Sequence, residues 1–466
     1  MLDDNRLFPA DPRSRAIARD IFQSIRHLPL ISPHGHTDPR WFAENTAFAD
    51  PAQLLIVPDH YVTRMLASQV IRLEDLGVPR LDGGAVETDG RAIWRRFAEN
   101  FHLFRGTPTR LWLETTLETL FGVAQPLGAG TADAAYDRIA ECLAKPEFRP
   151  RALYERFNLE VIATTDSALD DLGAHKAIRE SGWNGRVIPT YRPDAVVDPD
   201  RADFAANLDR LGEVSGVDTG GWAGYLEAHR RRRDVFKSMG ATASDHGHPD
   251  AATADLSAVD AAVLYDKVRG GTADARERGL FRAQMLTEMA RMSLEDGLVL
   301  QIHPGSWRNH ARTIFAEFGP DKGFDIPRPT DYVAALKPLL DRFGLERTLT
   351  IIVFTLDETA YARELAPLAG VYPALRLGPP WWFHDSPEGM MRFREMTTET
   401  AGFYNTVGFN DDTRAFPSIP ARHDVARRVD CAFLARLVAE HRLREEEAFE
   451  VAADLAYALP KAAYRL

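Results

Sequence analysis

Eight short, apolar, β-branched runs, separated mostly by helical patterns, constrain this chain more than any other feature. They fall at 27–32, 159–165, 186–191, 235–242, 298–303, 348–355, 374–379 and 405–411. Several read apolar throughout, as strands covered on both faces do. The fourth and seventh runs are interrupted by Gly, Met and Pro. Eight parallel strands alternating with helices predict an α/β fold, a TIM-like (β/α)8 barrel. A doubly wound sheet is the rival, but no Gly-rich phosphate loop follows the first run.

One gap breaks the alternation. Residues 33–158 separate the first run from the second, far more than one crossover helix needs. LWLETTLETLFG places Leu113, Leu117, Leu120 and Phe121 on one face, with Gly122 as its stop. Residues 62–155 are therefore expected to form a helical insertion inside a single barrel domain, 1–466. Further helices are expected over Arg312–Phe318 and over TAYARELAPLAG, which would stop at Gly370. The stretch 193–234 also reads helical, with Arg230 to Arg233 as a solvated face. Residues 424–466 read as two covering helices, with Phe433, Leu434, Leu437 and Val438 on their apolar side.

Charge and cysteine content narrow the function. With 56 Lys and Arg against 68 Asp and Glu, the net charge is −12. No net cationic field would draw in nucleic acid, and an anionic substrate would need local Arg or Lys. The two cysteines, Cys142 and Cys431, form no framework, so a reducing compartment is expected. MLDDNRLFPADPR has no basic segment followed by an apolar one, so a secretory signal is not expected. No run approaches the roughly 18 apolar residues of a membrane span. A cytoplasmic protein is the reading that remains.

The chemistry-bearing residues gather at the ends of the runs. His34-Gly35-His36 follows the first run almost directly. In extended backbone, residues two apart point the same way, so both imidazoles face one point at the barrel mouth. Such a pair can ligate a divalent metal, and Gly35 would leave room for close approach. Asn410-Asp411-Asp412-Thr413-Arg414 ends the eighth run, which lies beside the first when a barrel closes. Either aspartate could complete a His₂Asp site. The other runs end in polar clusters too: Thr164-Thr165-Asp166, Arg192-Pro193-Asp194, Ser244-Asp245-His246, His303, Asp357-Glu358, and Trp381 to Asp385. Polar residues collected at one face are how this architecture builds sites. His60-Tyr61 lies outside the runs. Its tyrosine could exchange a proton only if its pKa were lowered.

Nine ordered motifs carry a resemblance that spans nearly the whole chain: PHGHTDP, DHYVTRML, RLWLETTLETLFG, TTDSALDDL, TYRPD, GATASDHG, QIHPGSWRN, PPWWFHDSPEGM and DDTRAFPSIPARHD. The chain resembles the uronate isomerases, a divergent branch of the amidohydrolase superfamily. Gly35 stands where the family often has Cys, and Arg308-Asn309-His310 where it usually has Arg-Asn-Asn. The family's Asp-x-Arg selects Asp412, two before Arg414. The resemblance implies an aldose–ketose isomerase acting on small hexuronates. It implies Zn²⁺ or a similar divalent ion on His34, His36 and Asp412, with His303 contacting either metal or substrate. It also implies proton transfer by Tyr61, Asp412 and Arg414, and a carboxylate clamp at Arg192. His60, Asp245 and Trp381 would wall the pocket or meet sugar hydroxyls. A homo-oligomer is compatible with this reading. A metal-dependent hydrolase and a non-catalytic sugar-acid binder are the rivals. A hydrolase would be favoured by a lysine bridging two metals, and Lys237, the only lysine in the fourth run, lies at that run's start rather than at its mouth.

Overall fold

The computed structural model describes residues 2–466. Seven strands form the barrel wall: β1 (Leu30–Ser32), β2 (Leu159–Ala163), β3 (Val187–Ile188), β4 (Ala243–His246), β5 (Val299–Ile302), β6 (Ile351–Val353) and β7 (Leu375–Leu377). Neighbours pair in parallel, β1 with β2, β2 with β3, and β4 through β7 in order. Two-residue continuations, Asp166–Ser167 beyond β2 and Tyr191–Arg192 beyond β3, pair with each other and carry the wall across to β4. The apolar runs are buried on both faces: Ile351, Ile352, Val299 and Leu300 are fully covered.

The eighth position is the least regular. Only a single bridge, Leu377 to Thr406, represents it. Closure onto β1 is instead made past the strand ends, where the His36 N–H donates to the Thr413 carbonyl at 2.9 Å and the Asp412 N–H to the His34 carbonyl at 3.3 Å. The residues expected to hold a metal are thus the residues that close the barrel.

The fourth run is misplaced by the sequence pattern. Residues 235–238 end a 17-residue helix, Trp222–Ser238, and the strand begins only at Ala243. Phe236 is buried against the barrel as a helical residue, and Gly240 at φ +99° makes the turn that separates the two elements. Lys237 therefore lies on an outer helix, where its ammonium caps the Asp296 carbonyl, and on no strand. The same helix corrects the reading of Arg230–Arg233 as a solvated face at two of its four positions: Arg231 is exposed and Arg230 half-buried, but the next two are not. Arg232 and Arg233 are 5% and 0% exposed. Arg232 donates to the Ala168 carbonyl at 2.9 Å, and Arg233 pairs with Asp296 at 2.6 Å. Asp296, the last residue of the Ala275–Asp296 helix, draws Arg233 inward, while its neighbour Glu295 meets the half-buried Arg230 at 2.7 Å.

Seven α-helices lie between β1 and β2, from Pro39–Glu44 to Pro150–Arg156. They start ahead of residue 62. The first three are short turns capped by Asp38, Asp50 and Asp59, too brief to show apolar periodicity. Trp94, Phe97, Phe104, Leu113, Leu117 and Ile139 build their shared core. The helix expected to stop at Gly370 runs one residue further, to Val371. At the C-terminus, the long helix Ile419–Ala439 is followed by Glu445–Ala453, a π turn and Leu459–Tyr464. Phe433, Leu434, Leu437 and Val438 are buried as expected, and Tyr464 packs with Ala243, Val299 and Ile352 inside the barrel. Among the described residues no helix is long and apolar enough to cross a membrane.

Candidate active site

At the mouth formed by the strand ends lies a cavity of about 360 Å³, lined by His34, His36, Arg192, His303, Asp412 and Arg414, among others. β1 delivers both histidines as the period-two argument requires. Asp412 Oδ1 sits 3.5 Å from His34 Nε2 and 3.2 Å from His36 Nε2. Asp412 adopts φ +42°, a left-handed conformation unusual for a non-glycine residue, and its hydrogen bond to His34 holds it there. The neighbouring Asp411 turns away and meets His423 Nε2 at 3.1 Å. Gly35 is not required by space. A Cβ there would meet its nearest atoms at 3.6 Å, an ordinary contact, so a cysteine backbone would fit as well.

Two overlapping groups could hold a metal ion: His34, His36 and Asp412, and His34, Asp245 and His303. The donor chemistry fits a divalent cation. Asp412 Oδ1 and His303 Nε2 are both buried without a hydrogen-bond partner. His303 is oriented for this, because its Nδ1 is bound to Asp245 Oδ1 at 2.6 Å and its ring is stacked 3.8 Å from Phe354. Burial lowers the His303 pKa to about 4, keeping it neutral. Asp412 stays well below the usual carboxylate range despite burial, because His34 and His36 favour its anion.

Beside this group, and joined to it through Asp245, Arg192 is pinned twice. Its Nε bonds Asp194 at 2.8 Å and its Nη1 bonds Asp245 at 2.7 Å. Asp166 is not among its partners; that carboxylate accepts from Thr164 Oγ1 at 2.6 Å. Trp381 closes the wall, donating to the Thr355 carbonyl at 3.0 Å and standing edge-on to His303 at 4.7 Å. Arg414 donates from Nε to His60 Nδ1 at 3.1 Å. Burial, helped by Arg414, holds the His60 pKa well below its ordinary value.

Tyr61 is the exception. It does not line the cavity. Its hydroxyl donates to Asp385 Oδ2 at 2.8 Å, and Arg422 reaches the same oxygen at 3.3 Å. Burial first, then the charge of Asp385, pushes its pKa well above 10, opposite to the lowering that proton exchange needs. Sequence reasoning missed this buried Tyr61–Asp385–Arg422 arm. Asp385 stood in the polar cluster after the seventh run, but no spacing connects it to a tyrosine 324 residues away.

A parallel barrel with two histidines and an aspartate clustered at its carboxyl-end mouth defines a class of metal-site barrel enzymes. Within that class the assignment is specific, since the sequence profile of the glucuronate isomerase family matches residues 13–464. The chain belongs to this family. It is 72% identical over 466 residues to a uronate isomerase of Rhizobium meliloti, covering 100% of this chain and 99% of that one. The crystal structure of glucuronate isomerase from Caulobacter crescentus superposes with a TM-score of 0.98 at 58% identity, covering 100% of this chain and 97% of that one. That of a Thermotoga maritima uronate isomerase gives 0.92 at 26% identity, over 100% and 99%.

Proposed function

We propose that this enzyme is an aldose–ketose isomerase that interconverts D-glucuronate with D-fructuronate, and D-galacturonate with D-tagaturonate. The observation that carries this reading is the pairing, within one cavity, of the His34–His36–Asp412 cluster with a pre-oriented arginine. A hexuronate has a carbonyl at one end and a carboxylate at the other, so the two poles of the cavity match the two ends of the substrate.

His34, His36 and Asp412 would hold the cation, which we take to be Zn²⁺, with His303 as the adjoining imidazole. Such a cation, when bound, polarises the substrate carbonyl and its neighbouring hydroxyl. The chain's own groups do the rest. Arg192, held by Asp194 and Asp245, presents its remaining amine to the carboxylate. Asp412 takes a proton from the substrate hydroxyl beside it. A base removes the C2 proton as the carbonyl oxygen takes one up, giving an enediol, and the proton returns at C1 as the C2 hydroxyl gives up its own to leave the ketone. We assign that transfer to Tyr61 with Arg414. Because Tyr61 rests protonated against Asp385, it can serve as the base only after handing its hydroxyl proton to that carboxylate. His60 and Trp381 shape the wall around the sugar. Lys237 on the outer helix gives the hydrolase alternative no bridging group. Two free, buried cysteines suit a reducing cytoplasm.

The direct test is to incubate the purified protein with glucuronate and, separately, with a panel of amides and lactones. Ketose formation from glucuronate alone is expected. Hydrolysis of an amide or lactone without ketose formation would overturn the reading.

A further inference from the structure

The helix Ile419–Ala439 reaches both the Asp412 loop and the Tyr61–Asp385 arm, from two adjacent residues in its first turn. Arg422 and His423 are 3% and 4% exposed. Arg422 Nη1 donates to two acceptors. One is Asp385 Oδ2 at 3.3 Å, the oxygen that also accepts the Tyr61 hydroxyl at 2.8 Å. The other is the Asp411 carbonyl at 3.0 Å, which belongs to the peptide bond leading into Asp412. A single nitrogen therefore touches the tyrosine's acceptor and the backbone of the ligand loop.

The helical insertion steadies the same guanidinium. Its central carbon lies 3.8 Å from the centroid of the Trp112 ring and 5.5 Å from that of Tyr61, and Trp112 stands edge-on to Tyr61 at 5.7 Å. Arg422 Nε is buried without a hydrogen-bond partner, so the shared Nη1 and the ring stack carry the placement. The loop is pinned a second time, where His423 Nε2 meets Asp411 Oδ2 at 3.1 Å. With the carbonyl and the carboxylate of Asp411 both held by one helix, Asp412 stands at φ +42° with its own carboxylate toward His34 and His36. A left-handed conformation at a non-glycine residue persists only where its surroundings fix it. An arginine serving merely to neutralise Asp385 would need no contact with Asp411.

We infer that Arg422 is a positioning residue that joins the two working parts of the site, setting the Asp411–Asp412 loop for the metal and the Asp385 carboxylate for Tyr61 through one nitrogen. The inference rests on the metal cluster and the Tyr61 role proposed above.

The test measures two quantities on each variant. The first is the Kd for Zn²⁺ added to metal-free protein, read by competition with a chelating dye. The second is the pair kcat and KM for glucuronate at saturating Zn²⁺. Asp385→Asn alters the arm alone and should lower kcat about 10–100-fold with the Zn²⁺ Kd unmoved. Arg422→Met should change both, raising the Kd about tenfold or more and lowering kcat about 10–100-fold with KM nearly unchanged. Arg422→Lys should recover part of each loss, because the ammonium keeps the charge but not the planar stack on Trp112. Melting curves report whether Arg422→Met folds. If it does not, Arg422→Lys carries the test, and both of its losses should be present because one nitrogen serves both contacts. If either quantity keeps its wild-type value in a folded Arg422 variant, the joint is wrong; a lowered kcat with an unmoved Kd would make Arg422 an ion pair for Asp385 and nothing more. If the wild type binds no Zn²⁺, or Asp385→Asn keeps its kcat, the proposed reading of the site falls and the joint falls with it.

Discussion

The two sides of the cavity are built on opposite rules. Where β1 meets the eighth position, buried polar atoms lack a hydrogen-bond partner, as at His34 Nδ1 and at Asp412 Oδ1, whose nearest neighbour is the His36 imidazole at 3.2 Å. On the β3–β5 side the buried charges are spent on one another: Arg192 carries two aspartates, and Asp245 carries both Arg192 and His303. The first arrangement is costly in an empty protein, since an unpaired buried acceptor costs roughly 1–3 kcal/mol. It becomes favourable when a cation arrives. The second is compensated within itself, and on the proposed reading it holds a donor in place for the substrate's carboxylate. A ligand set must stay open, whereas a clamp must be preset.

The largest effect should come from the open side. His34→Asn together with His36→Asn should deplete bound metal, read by elemental analysis, and cost well over about a hundredfold in kcat/KM. Undiminished metal content in that variant would remove the cluster from the reading. On the preset side, Arg192→Met should cost on the order of 2–5 kcal/mol in kcat/KM. The double pairing adds a second expectation. Asp194 and Asp245 lose their partner, so the melting temperature should fall as well, by several degrees. A variant with normal kcat/KM would show that Arg192 is only an ion pair.

The Tyr61–Asp385 arm belongs to neither side, and Arg422 ties it to the Asp412 loop. Asp385→Asn should lower kcat by about 10–100-fold, the scale of one lost proton acceptor, with KM and metal content nearly unchanged. Burial raises the Asp385 pKa, against the opposing pull of Arg422. The acidic limb of the kcat profile should therefore disappear in the variant. An unchanged profile would leave Tyr61 as a packing residue.

The smallest effect isolates what an arginine partner does for a buried carboxylate. Asp194 and Asp245 have Arg192 and stay below the usual carboxylate range. Asp166, without such a partner, is pushed by burial to about 7. Between about pH 4 and 7 the folded protein keeps a proton that the unfolded chain has released, so stability should fall as pH rises through that window. Above it the penalty is complete. Asp166→Asn should flatten this slope and raise the melting temperature at pH 8 by a few degrees, because each tenfold difference in proton affinity between folded and unfolded protein is worth about 1.4 kcal/mol. A slope unchanged in the variant would assign it to other groups.

Much of this was legible in the linear chain because its cause is local. Alternating apolar runs predict a parallel barrel, since a strand covered on both faces must be apolar throughout. His34 and His36 point together because extended backbone has a period of two. The fourth run shows where local cause ends: VFKSMGAT is as apolar as a weak strand, and only its place on the barrel's outer helix decides its conformation. The Arg230–Arg233 reading fails likewise at its second half, since whether Arg232 and Arg233 are solvated depends on which carbonyls and acids the fold brings to them.

By itself, then, the sequence determined the barrel, the β1 histidine pair and the family, because periodicity and motif order are properties of the chain. The tertiary structure decided the pairings. It turned Asp412 rather than Asp411 toward the histidines, tied Tyr61 to Asp385, and laid Arg422 on Trp112. Those contacts join residues far apart along the chain. Hydrogen bonds and charge compensation act over distance in space, which barrel closure sets and sequence separation does not.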